Sequence, residues 1–155
     1  MSSVQTEVRL PAQRKLRDTF NKASNLRAWD NIMATAPKVK QNPAVVLSKA
    51  TLNASALLGL NDAELAKVLG ISEPSISRIA SGSRYIDPHS REGETALILV
   101  RILRSLDRLV GGDSSRRTAW MTSHNKAISG VPKTAIQTMH GLVHTIDYLD
   151  CISPS

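Results

Sequence analysis

Residues 60–84 read LNDAELAKVLGISEPSISRIASGSR, two short amphipathic helical patterns joined by a glycine turn. Asn61 is followed three residues later by Glu64, an Asn version of the capping box, so a helix starts at Asp62. Leu65, Ala66 and Leu69 form its inner face, and the small Ala66 lets a second helix cross close by. Gly70 supplies the left-handed backbone that a tight turn needs, Ile71 plugs the turn and Ser72 caps the next helix. Pro74 in the first turn costs little, because its missing N–H would have no intrahelical partner there. In the second helix Ile76, Ile79 and Ala80 are expected to point inward. At about 100° per residue, Pro74, Ser77, Arg78 and Ser81 then fall on the opposite side.

Small and basic side chains on the outer face of a second helix are what reading of the DNA major groove needs. Arg78 can donate two hydrogen bonds to a guanine, and serines are adaptable partners. Glu73 either accepts from a cytosine or favours the helix N-terminus through the dipole. The plainer alternative is a helical hairpin whose polar face meets only solvent. Against it stand the capped starts, Ala66 and the Gly-Ile-Ser turn, all in one register. A DNA-binding helix-turn-helix over residues 62–82 follows, with Ser72, Glu73, Ser75, Ser77, Arg78, Ser81 and Arg84 as its candidate DNA contacts.

Outward from this motif the chain reads as helix and turn throughout, because no segment has the strict alternation of a half-buried strand. Asn42-Pro43 starts a helix, with Asn as cap and Pro in the first turn, that runs to Gly59. A long helix from about Ser90 to Val110 is closed by Gly111-Gly112, and Arg101, Arg104 and Arg108 are its one polar stripe. Apolar residues wrap the rest of it, so it is either the central element or a dimer seam. Asp113 caps SSRRTAWMTS, after which short helices alternate with turns. A boundary at residues 111–113 therefore divides a 43–112 domain from a 113–155 domain. Before them, residues 1–42 form a basic leader in which residues 11–35 could make one helix, and PKVKQNP reads as a linker.

The 155 residues suit one or two small domains, and only 3% are aromatic, so any core is built from Leu, Ile, Val and Ala. That also leaves little for the base stacking on which single-strand binders rely. The net charge of +7 favours a polyanionic partner. Residues 1–45 hold eight basic and three acidic side chains, which suits either a phosphate-contacting arm or a solvated leader. The single cysteine, Cys151, excludes an internal disulfide, and no Cys/His cluster suggests a zinc finger. No apolar run has signal-peptide or transmembrane character, so a soluble cytoplasmic protein without membrane contact is expected. Neither a Walker loop, a dinucleotide fingerprint nor HExxH is present, and no enzyme activity, cofactor or metal is expected.

In the last helix Leu142, Ile146 and Leu149 make an apolar face, while His144, Asp147, Tyr148 and Cys151 fall on the other. A tyrosine among polar groups suits a protein interface, or is incidental on a solvated face. His140, His144, Asp147 and Cys151 share a direction, but Gly141 is expected to separate His140 from this helix, so incidental histidines explain them better than a metal. Trp120 and Met121 read as core, and Asn125 as the stabiliser of a turn. Residues 150–155 could reach into a cleft or fray.

DAELAKVLGISEPSISRIASG resembles the phage-repressor, or Xre, class of helix-turn-helix. In that class the residues matching Glu73, Pro74, Ser75, Ser77 and Arg78 contact bases and phosphates, usually in a dimer; Pro74 departs from the polar side chain often found there. SREGETALILVRILRSLDRLVGGD and then RRTAWMTSHNKAISGVPKTAIQTMHGLVHTIDYLD resemble the Xre/MbcA/ParS antitoxins. Arg117, Trp120, Asn125, Gly130, Pro132, Gly141 and the Asp147-Tyr148-Leu149 ending carry the second likeness. Together the two span roughly residues 45–152 in the expected order. The resemblance implies an all-α type II antitoxin: a repressor-like helix-turn-helix domain followed by a small helical toxin-binding domain. Its partners would be a RES-domain toxin that consumes NAD, double-stranded operator DNA and a second copy of the chain. Toxin contacts are expected at Asn125, His144, Asp147, Tyr148, Cys151 and Ile152. The alternative is a stand-alone regulator whose C-terminal domain only dimerises or senses a ligand.

Overall fold

The computed structural model describes residues 41–153, within which there are seven helices and no strand. They are α1 (Pro43–Leu58), α2 (Asp62–Leu69), α3 (Glu73–Ser81), α4 (Arg91–Val110), α5 (Ser114–Thr122), α6 (Pro132–Ala135) and α7 (Met139–Ile152). The expected helix over residues 11–35 and the basic arm lie outside the described residues.

Local chemistry sets most of the helix ends. The side chain of Asn42 accepts from the N–H of Ala44 ahead of Pro43, and Gly59 ends α1 in the left-handed region at φ 75°. Asn61 Oδ1 accepts from the Glu64 N–H at 2.8 Å, and Glu64 Oε2 accepts from the Asn61 N–H at 2.9 Å, completing the capping box. Ser90 caps α4 by accepting from the Gly93 N–H, and Asp113 caps α5 by accepting from that of Arg116. This last bond holds the Asp113 carboxyl below the usual carboxylate range. Its contribution is therefore present above the unfolded-state pKa and is lost as pH falls through the folded-state value.

Three local expectations are corrected. Ser72 stands at the N-cap position of α3 with extended backbone, but its hydroxyl pairs with that of Ser75 at 2.9 Å instead of capping a backbone N–H. Ala80 is exposed, because α3 meets the core only along Ile76 and Ile79. Gly141 does not precede the last helix: α7 begins at Met139, and Thr138 Oγ1 accepts from the Gly141 N–H at 3.1 Å. His140 is therefore part of α7. A glycine that local propensity marks as a break is here a close-packing position.

The long helix α4 is the central element. It packs against α1 and α7 along its length and touches α2 and α5 as well. Ala96, Leu99, Ile102, Leu103, Leu106 and Val110 are its buried hydrophobic residues. They join Leu47, Ala54 and Leu58 of α1, Leu65, Ile76 and Ile79 of the helix-turn-helix, and Leu142, Ile146 and Leu149 of α7 in one cluster. Packing is thus continuous across residues 111–113. This core is aliphatic, with Trp120 packed at its margin and Met121 inside it. Its buried hydroxyls are satisfied: Ser48 donates to the Ala44 carbonyl at 2.7 Å and accepts from the Ile86 N–H at 2.8 Å.

Candidate functional site

The first candidate surface is built by α2, the turn and α3. The Gly70 and Ile71 N–H groups both close on the Ala66 carbonyl, with Gly70 at φ 68°, which turns the chain sharply into α3. Since α3 buries only Ile76 and Ile79, the rest of it stands out from the body: Ser72, Glu73, Pro74, Ser77, Arg78 and Ser81 are exposed, and Ser75 is half-buried. Arg78 makes no ion pair among the described residues. Ser81 donates to the Arg78 carbonyl at 3.0 Å and meets the Ser83 hydroxyl at 2.9 Å, while Ser77 reaches the Glu73 carbonyl at 3.5 Å. These hydroxyls rest on local backbone and can rotate outward to an incoming acceptor or donor.

Arg84 differs from the other candidates. It is half-buried, and its Nη2 donates to both carboxylate oxygens of Glu92 on α4 at 2.8 Å. Sequence reading did not single out Tyr85, which is 46% exposed and whose hydroxyl lies beside Gly82 at the end of α3. An aromatic in the loop leaving a second helix was the available signal.

The second surface is the outer side of α7. Gly141, Leu142, Thr145, Ile146 and Leu149 are buried; His140, His144, Asp147 and Cys151 are exposed, Tyr148 is half-buried, and Ile152 is exposed at the helix end. Periodicity therefore separated the two faces correctly. It missed Met139 and Val143, which are exposed on the outer side and add apolar area next to His140, His144 and Asp147. The rings of His140 and His144 are 6.1 Å apart, and no group of three metal-ligating side chains occurs among the described residues.

Of the tail, residues 150–153 are fastened to α4, and residues 154–155 lie outside the described residues. Asp150 accepts from Arg101 and from the Ser105 hydroxyl of α4, and the Ser153 hydroxyl donates to the Ser105 carbonyl at 3.0 Å. Asn125 lies apart from α7 in the α5–α6 loop, half-buried and structurally engaged. It exchanges two backbone hydrogen bonds with Gly130, and its Oδ1 accepts from the Ala127 N–H at 2.9 Å. Two further residues of the C-terminal signature are architectural: Arg117 is buried against Asp107 at 2.7 Å, and Gly141 lies against α6. Lys133 of α6 reaches Glu64 of the capping box at 3.4 Å, joining the C-terminal helices to the helix-turn-helix.

A helix-turn-helix presenting Arg78 and serines, packed through α4 onto a helical domain with an exposed amphipathic face, is the architecture of a DNA-binding protein with a second exposed surface. Two family models match the chain in the same order: the antitoxin Xre-like helix-turn-helix domain over residues 39–101, and the antitoxin Xre/MbcA/ParS C-terminal toxin-binding domain over residues 105–153. The chain belongs to the Xre-family antitoxins, as a type II antitoxin that binds a toxin. No curated protein matches it. No helix among the described residues is long and apolar enough to cross a membrane.

Proposed function

We propose that this antitoxin blocks the active site of a RES-domain, NAD-consuming toxin with the outer side of α7 and represses its own operon through α3. The observation that carries the toxin-binding half is the face of α7. Met139, Val143, His144, Asp147, Tyr148 and Cys151 are presented on a helix whose opposite face is core and whose end is pinned to α4 by Asp150. A rigid helix with an apolar strip, a tyrosine and flanking charges loses little entropy on docking. Asn125 contributes by shaping the 125–130 loop. The RES-domain identity of the toxin rests on the resemblance of the two ordered signatures.

Co-expression with the protein encoded next to this gene tests the reading. Expected are a stable complex and restored growth of cells carrying the toxin; absence of either removes the inhibitor half and leaves the stand-alone regulator. For the DNA half, Arg78→Ala is expected to weaken operator binding by about 1–3 kcal/mol and to relax the preference at one base position. Equal weakening on all duplexes would make Arg78 a phosphate contact.

A homodimer is part of this proposal, since two recognition helices match an inverted repeat. The groove between α1 and α4, about 510 Å³ and lined by Val46, Ala50, Leu97 and Val100 with Arg101 and Arg104 at its end, supports it. Sedimentation of the free chain reads this directly.

A further inference from the structure

We infer that Arg84 is a positioning residue: through Glu92 it straps the end of the recognition helix to α4 and so fixes where Arg78 stands. This rests on the DNA-binding role proposed for α3. The helix is nine residues long and buries two side chains, so core packing alone holds it weakly. Its C-terminal turn folds back mainly on one carbonyl, with the Gly82 N–H also reaching that of Ile79 at 3.2 Å. The Arg78 carbonyl accepts from the Ser83 N–H at 2.9 Å, the Arg84 N–H at 3.1 Å and the hydroxyls of Ser81 and Ser83. That closes the turn on itself but ties it to nothing else.

The ties to the scaffold come from the next three residues. The Arg84 guanidinium donates to both oxygens of Glu92, whose side chain is 14% exposed against 34% for Arg84. Glu92 stands in the first turn of α4, where the helix dipole stabilises a carboxylate. Two residues after Arg84, Ile86 is fully buried and its N–H donates to Ser48 of α1 at 2.8 Å. The strap from α3 is thus fastened to α4 at Arg84 and to α1 at Ile86. A guanidinium already facing a carboxylate at 2.8 Å has most of its field compensated. It therefore adds little of the net positive charge that draws phosphates and releases counterions.

The test uses the full chain, duplex DNA from immediately upstream of its own reading frame, and the variants Arg84→Met and Glu92→Gln. Titrations over a range of salt concentrations are expected to show both variants weakened by similar factors, on the order of tenfold, with the slope against log salt unchanged. Hydrogen exchange of the free chain is expected to quicken in both variants at residues 82–84 while the amides of α4 stay protected. A phosphate contact gives a different pattern: Arg84→Met lowers the salt slope by about one and Glu92→Gln changes nothing, which would overturn the proposal. Unchanged exchange in both variants would overturn it too. If the wild-type chain binds no duplex while exchange responds as expected, the DNA-binding role fails and the strap stands.

Discussion

Gly141→Ala is expected to destabilise the chain by about 3 kcal/mol or more, although the change favours helix formation locally. An alanine inside a helix gains roughly 1 kcal/mol over glycine from backbone entropy. At this position the added methyl group would lie 2.0 Å from the Ala135 carbonyl oxygen and 2.6 Å from its carbon. Both atoms are backbone, so no side chain can rotate away; α6 itself has to retreat from α7. The retreat strains the Thr138 cap on the Gly141 N–H and the bond from the Thr145 hydroxyl to the Gly141 carbonyl, 2.6 Å long. Ile136, fully buried, moves with α6 and opens the core beneath Leu142. Urea unfolding of Gly141→Ala beside Gly130→Ala checks this, because a methyl group at Gly130 would meet nothing within 4 Å. A Gly141→Ala midpoint equal to or above wild type would show that α6 yields without cost.

Gly141 also marks the limit of what the sequence discloses. The helix-turn-helix was legible because its instructions are local: Asn61 with Glu64 three residues on, Gly70 at the turn, and Ile76 and Ile79 at helical spacing. The ends of α1 and α4 were legible for the same reason, with Pro43 and Gly59 at one and Ser90 and Gly111 at the other. Gly141 obeys a tertiary rule, the closeness of Ala135, which composition and spacing do not reveal. The same holds for the ion pairs that tie the elements together. Arg101 with Asp150 and Glu64 with Lys133 join residues far apart in the chain, and no periodicity announces them. Among the candidate site residues, those whose exposure follows from helical phase are exposed as expected: Arg78 on α3, and His144, Asp147 and Cys151 on α7. Arg84, governed by a partner elsewhere, was not fully legible, since Glu92 holds it; nor were Met139 and Val143, which are apolar yet outward.

The Arg117–Asp107 pair leads to the second large effect, and it is asymmetric. Arg117 is 6% exposed, whereas the Asp107 side chain is 34% exposed at the end of α4, and the two meet at 2.7 Å. Asp107→Ala leaves a guanidinium buried without its counter-charge. Removing one member of such a pair costs about 3–5 kcal/mol, with the lower end expected here because water reaches the Asp107 side. Arg117→Met leaves the opposite problem, a carboxylate that solvent can take over, and the methionine fills much of the space of the arginine stem. Its cost is expected below about 1.5 kcal/mol. The double variant should then lie near Arg117→Met alone, so that adding Asp107→Ala on that background changes the urea midpoint little. Equal losses for the two single variants would mean that the contact is worth only its packing. The expected asymmetry would instead show why an arginine stands at 117: it fastens α5 to α4, the helix that also receives Asp150 of α7 and, through Glu92, the strap from α3. Loss of Asp107 is therefore expected to loosen α5 from the helix on which both α7 and the strap from α3 are fastened.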